Sequence, residues 1–125
     1  MPTKETIERF IARVESNAHA EAVEEFYTES ATMRENQKPP RGPRSALVEN
    51  EKRVMARAQS VETICVRPAF VSGDYVVVRW IFRFVWKDGS TSELEELSYQ
   101  RWEGERVAEE QFFYDPAQLV HKPPA

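Results

Sequence analysis

The chain predicts an α+β fold, with helices laid on one face of a curved, mostly antiparallel sheet, and three observations carry that expectation. Helical periodicity is confined to the first half of the 125 residues, strand-like runs fill the second half, and the turns between those runs are short. At this length one buried core is expected, hence a single domain over residues 1–125.

The first helix, over residues 3–16, follows from Ile7, Phe10, Ile11 and Val14, which recur on one face opposite Glu5, Glu8, Arg9 and Arg13. Residues 17–19 break it, and Ala22, Val23, Phe26 and Tyr27 give a shorter second helix that must turn a corner on the first. A brief extended piece, 30–33, leads into the loop Glu35-Asn36-Gln37-Lys38-Pro39-Pro40-Arg41-Gly42, whose residues oppose regular structure. Pro43 suits the first turn of a third helix over 42–58, with Leu47, Glu51, Val54, Met55 and Ala58 along one stripe. Glu51 is the odd polar member of that stripe, read here as lying at its edge.

Residues 60–71 alternate as a strand, and Pro68 makes it an edge strand or a bulged one. A three-strand meander follows over 75–86, 93–102 and 107–114, turning at Asp88-Gly89 and at Glu103-Gly104-Glu105 and stopping at Asp115-Pro116. If Asp88-Gly89 is a two-residue turn, Lys87 faces Ser90, and Val77, Arg79, Ile81 and Arg83 share a face with Leu94, Glu96, Ser98 and Gln100. A three-residue second turn adds Glu110, Phe112 and Tyr114 to that face, and leaves Val76, Val78, Trp80, Phe82 and Phe84 with Leu97 and Tyr99 on the other. A single bulge residue would exchange the sets, so which face lines a cavity stays open. Neither set is cleanly polar, so both faces are expected to be covered, one by the helices and the other by a second copy in a twofold dimer.

A formal charge of −4 argues against a nucleic-acid partner, and no apolar run is long enough for a membrane span or a signal peptide. The cytoplasm is the expected compartment. Cys65 stands alone, which excludes an internal disulfide and a cysteine-based zinc site, and it reads as a small core residue. His19 and His121 fall near segments expected at the surface, no metal-ligand spacing recurs, and no glycine-rich phosphate loop or nucleophile motif is present. Neither metal nor cofactor is expected.

The order helix, helix, short strand, proline-containing loop, helix and long antiparallel strands resembles the nuclear transport factor 2-like superfamily, in particular its SnoaL-like polyketide cyclase branch. Carrying segments are Phe26-Tyr27 before Ala31-Thr32-Met33, the 35–42 loop, Glu95-Glu96 followed by Gln100-Arg101-Trp102, and Phe112-Phe113-Tyr114-Asp115-Pro116. The resemblance implies a cone-shaped α+β barrel, a cavity between the helices and the concave sheet, and homodimers through the outer sheet face. Superfamily members include isomerases, epoxide hydrolases, cyclases and proteins that only bind or dimerise. Glu35 stands roughly where ketosteroid isomerases carry a carboxylate base, but Phe10 and Ser98 stand where those enzymes need a tyrosine and a protonated acid. Phe112 or Gln111 stands near the acidic position of the cyclases, and Arg83 with Glu96 or Glu110 loosely imitates the epoxide-hydrolase arrangement.

The candidate catalytic residues are therefore Glu96 and Glu35, with Tyr27, Asn36, Gln100, Glu110, Phe112 and Tyr114 as the substrate-binding set. A cavity-facing Glu96 would be desolvated and so raised toward a useful general-base pKa, whereas in the competing reading Arg79 or Arg83 neutralises it across the strands. Gln100 could orient a substrate carbonyl, and Tyr27 and Tyr114 could close a pocket. Two functions follow as expectations. The first is a small-molecule cavity performing cofactor-independent isomerase, cyclase, lyase or hydrolase chemistry on a hydrophobic carbonyl compound; the second is a non-catalytic ligand-binding or dimerisation module.

Overall fold

The computed structural model describes residues 1–124. Helix α1, Lys4–Glu15, opens on Thr3, whose side chain accepts a hydrogen bond from the Thr6 amide at 3.1 Å. It buries the expected stripe of Ile7, Phe10, Ile11 and Val14 and ends where Asn17 takes a left-handed φ of 68°. Helix α2, His19–Phe26, crosses it and passes directly into strand β1, Tyr27–Glu35, a strand longer than the four-residue piece the sequence suggests. Helix α3 runs Arg44–Arg57 and is followed by β2, Ala58–Ser72; β3, Tyr75–Trp86; β4, Thr91–Glu103; and β5, Arg106–Phe113. A 3-10 turn, Pro116–Leu119, then carries the tail back across the sheet, where Lys122 pairs with Thr91. That pairing ties the tail beyond His121 to the sheet; Ala125 lies outside the described residues.

The five strands form one sheet in the order β1-β5-β4-β3-β2, antiparallel except for the parallel pair β1 and β5. β2 is an edge strand, and its register slips between Val66 and Phe70, around Pro68, which has no amide to donate. The loop after β1 folds back so that Met33 and Arg41 exchange backbone hydrogen bonds of 2.9 and 2.8 Å. Gly42 permits this close approach, because a Cβ there would stand 2.6 Å from the carbonyl oxygen of Ala31.

The β3-β4 turn corrects the expected register. Trp86 and Ser90 pair, so Lys87, Asp88 and Gly89 form a three-residue loop, with Gly89 at φ 86° and Asp88 accepting from the Ser90 amide at 2.9 Å. One extra loop residue reverses the faces. Trp80 lies opposite Glu96, Val78 opposite Ser98 and Val76 opposite Gln100. Glu96 therefore shares its face with Val76, Val78, Trp80, Phe82 and Phe84, while Leu97 and Tyr99 share theirs with Val77, Arg79 and Ile81. The β4-β5 turn is two residues rather than three, but a bulge at Arg101/Trp102 restores the count, so Ser98, Gln100, Glu110 and Phe112 stay on one face as expected.

That face is concave and carries the core, where Phe10 of α1 meets Trp102 edge-on at 5.8 Å and Trp80 at 6.4 Å. Cys65 is buried there with them. The convex face holds cross-strand ion pairs, Arg79 with Glu95 and Arg83 with Glu62 and Glu93, interspersed with exposed Phe70, Tyr75, Val85, Leu97, Tyr99 and Phe113. Arg79 and Arg83 thus lie on the wrong side of the sheet to neutralise Glu96 or to build an epoxide-hydrolase arrangement with it. Among the described residues no helix is long and apolar enough to cross a membrane.

Candidate functional site

A funnel opens between the helices and the concave sheet. Its inner chamber, about 80 Å³, is walled by Phe10, Tyr27, Trp80, Glu110 and neighbouring apolar side chains. The wider outer chamber, about 340 Å³, is lined by Glu35, Arg41, Phe84, Trp86 and His121 among others. His19, Glu51, Phe82, Glu96 and Phe112 border both. Aromatic residues spaced by two along β3, from Trp80 to Trp86, line the wall because strand side chains alternate.

Glu110 anchors the deep end. Its carboxylate accepts from the Tyr27 hydroxyl on one oxygen and, on the other, from Ser98 Oγ at 2.5 Å and Gln100 Nε2 at 2.7 Å. Trp102 Nε1 in turn donates to Gln100 Oε1 at 3.0 Å, which fixes the amide's orientation. Burial pushes the Glu110 pKa up, and the three donors oppose that push. Burial and the adjoining Glu110 charge together hold the Tyr27 hydroxyl protonated far above the ordinary tyrosine range.

Glu96 differs in having no hydrogen-bond partner among the described residues, although only 7% of it is exposed. Desolvation first, then repulsion from Glu110, Glu51 and Glu35, raises its pKa well above the ordinary carboxylate value. Glu51 reaches the funnel from α3, is partly buried, and likewise makes no hydrogen bond among the described residues. Desolvation and the charge of Glu110 raise it to about 7, against the opposing pull of Arg41.

Glu35, at the end of β1, is clasped by Arg41 Nη1 at 2.9 Å and by the Tyr114 hydroxyl at 2.8 Å. The Tyr114 pKa is raised by burial and by that bond. His19 is buried, contrary to its expected surface position, and burial lowers its pKa to about 4, so it is neutral near pH 7. Its Nε2 lies 2.9 Å from Thr63 Oγ1, and the Thr63 hydroxyl already donates to Asn17 Oδ1 at 2.8 Å. Nε2 therefore carries the proton, and Nδ1 keeps a free lone pair.

Of the sequence-predicted set, Glu96, Glu35, Tyr27, Glu110 and Phe112 line the funnel. Gln100 is completely buried behind Glu110, and the Tyr114 hydroxyl is bonded to Glu35. Asn36, with a left-handed φ of 49°, clasps β5 instead: its side chain accepts from the Tyr114 amide at 3.1 Å, and its carbonyl accepts from Gln111 Nε2 at 2.7 Å. Sequence reasoning missed His19 and Arg41 and set Glu51 at a stripe's edge. A carboxylate inside an apolar helical stripe was the available signal for Glu51. Among the described residues no group of His, Cys, Asp and Glu is arranged to hold a metal ion.

Three helices on a bent five-stranded sheet, closing over an apolar funnel with carboxylates on its wall, define a protein of the ketosteroid isomerase and nuclear transport factor 2-like fold. The chain belongs to the SnoaL-like domain family, whose model matches residues 7–110. Similar solved structures include a Catenulispora acidiphila DSM 44928 protein of ketosteroid isomerase-like fold in complex with trimethylamine, at TM-score 0.76 and 16% identity over 94% of this chain and 91% of that one. A Mesorhizobium loti protein provisionally assigned as a SnoaL-like polyketide cyclase superposes at TM-score 0.75 with 18% identity, covering 91% of this chain and all (100%) of its own. An LEH-like epoxide hydrolase of M. tuberculosis gives TM-score 0.73 and 10% identity, covering 91% and 83% of the two chains. At these identities the likeness speaks to fold. No curated protein matches the chain in sequence.

Proposed function

We propose that the funnel binds a small hydrophobic molecule and moves a proton on it without a cofactor, with Glu51 and Glu96 as the working pair. One observation carries the reading: two carboxyl groups with no hydrogen-bond partner among the described residues border the same chambers. Their surroundings push them to different degrees, Glu51 to about 7 and Glu96 well above the ordinary range. Near neutral pH Glu51 is partly ionised and can accept a proton, while burial and the neighbouring carboxylates favour the protonated form of Glu96, which can donate to a carbonyl oxygen. This reverses the role the sequence suggests for Glu96, from base to acid. Glu110, saturated with donors, positions the pair through its charge, and Glu35 belongs to the clasp with Arg41 and Tyr114.

Deuterium exchange into the α positions of cyclopentanone in heavy water tests the reaction. The wild-type chain should exceed buffer, and Glu51→Gln should lose at least tenfold of that excess. Equal rates for the two proteins would end the catalytic reading.

A non-catalytic ligand-binding module is the second reading, favoured by the commitment of Tyr27, Ser98 and Gln100 to Glu110, which leaves no prepared oxyanion hole. The trimethylamine held by a protein of the same fold supports small-molecule binding in either case. The proposal includes a homodimer through the convex face, supported by its exposed apolar side chains, and a cytoplasmic location, supported by the single free Cys65.

A further inference from the structure

The polar groups of the inner chamber are unevenly assigned. The Tyr27 hydroxyl donates to Glu110, and His19 Nε2 donates to Thr63, so the donors are engaged. Bordering the void are the carboxyl groups of Glu96 and Glu51 and the ring of His19. The charged groups around Glu96 are Glu51 from α3, Glu110 from β5, and Glu35 with Arg41 beside the outer chamber. Arg41 is the cation near them, and its Nη1 is bonded to Glu35. Arg57 lies farther out, over the Trp86 ring at 6.0 Å. The remaining wall is aromatic, with Phe10, Trp80, Phe82 and Phe112.

We infer that the ligand of the inner chamber is a hydrophobic organic cation, a substituted ammonium seated against Glu96 and Glu51 and walled by those aromatic rings. Three features point the same way. A carboxyl more than nine-tenths buried and without a partner needs either a proton or a cation on it. The aromatic rings attract an ammonium through their quadrupoles while shedding water. An anion would meet two carboxyl groups, and a neutral acceptor could take a hydrogen bond only from a protonated Glu96, leaving the acidic wall without a counter-charge.

Seating a quaternary ammonium balances simply: Glu96 releases its proton to solvent, becomes a carboxylate, and pairs with the cation, and no covalent bond to carbon forms or breaks. The inference rests on the funnel being the ligand site and does not require that a proton then move on the ligand.

Calorimetric titration with benzyltrimethylammonium, benzyl alcohol and phenylacetate, in two buffers of different ionisation enthalpy, tests it. The ammonium should bind at least tenfold more tightly than the alcohol, with net release of protons, and phenylacetate should be weakest. Glu96→Gln should lower ammonium affinity at least tenfold and abolish most of the proton release, while alcohol binding changes less than threefold. Glu51→Gln should weaken the ammonium more modestly, because Glu51 is only partly buried. Alcohol or phenylacetate binding as tightly as the ammonium, or Glu96→Gln binding it undiminished, overturns the inference. Ketone exchange in the preceding assay would survive that result, and failed exchange with intact ammonium binding would remove only the catalytic reading. Absence of binding by all three probes would remove both.

Discussion

Glu51 shows how one side chain makes the site costly to keep. Its folded-state pKa of about 7 lies above the value of an unfolded glutamate, so the native chain holds a proton that the unfolded chain releases. Stability from this group is therefore greatest below about pH 4.5 and falls as pH rises to about 7, by at most on the order of 3 kcal/mol, and is flat above that. Glu96, raised by the same causes, acts in the same direction. His19, held at about 4, pushes the other way below about pH 6.5, so the readout is a difference: urea denaturation from pH 5 to 8 should show wild-type stability falling with pH relative to Glu51→Gln, and a constant difference would mean that Glu51 titrates normally. Tyr27→Phe tests the deep anchor. It strips a buried carboxylate of one donor and should cost about 1.5–3 kcal/mol, read as a lower urea midpoint at unchanged m-value.

Single loops decide what the strands and helices present. The loop after β1 folds back only because Gly42 has no side chain to meet the β1 backbone. Gly42→Ala should destabilise by about 1–3 kcal/mol and loosen Arg41 from Glu35, with the backbone amide shifts of Met33 and Arg41 as the readout. Native-like stability and shifts would show that the loop accommodates a methyl group. In the β3-β4 hairpin, one residue more than a two-residue loop rotates the whole of β4 relative to β3, because side chains alternate with a period of two. That residue is what brings Glu96 beside Trp80 rather than Arg79.

At the scale of the whole molecule, the proposed dimer would cover the convex face. Exposed Leu97, Tyr99, Phe113 and Phe70 lie among paired arginines and glutamates, a composition suited to a second copy rather than to water. Sedimentation at micromolar concentration should find a dimer, and Leu97→Arg should convert it to a monomer that still folds, since Leu97 is half exposed in one chain (46%). A wild-type monomer would leave the face without its proposed partner. The funnel lies on the opposite, concave side, so probe binding in Leu97→Arg should persist.

Much of this was legible in the chain itself. The helical stripes of α1 and α2, the edge character of β2 and the meander follow from periodicity and turn residues, which are local properties. Glu96, Tyr27 and Glu110 were also legible as polar groups among strand and helix apolar runs. Three-dimensional packing alone decided which face of β4 meets β3, that His19 is buried, and that Glu51 joins Glu96. The first turns on one loop residue in a hairpin, and the other two on how α2 and α3 seat over the sheet, where His19 meets Thr63 across 44 residues of sequence. Periodicity along a segment reports which side is apolar; only the docking of segments reports which polar group on that side is left without a partner, and that difference makes the site.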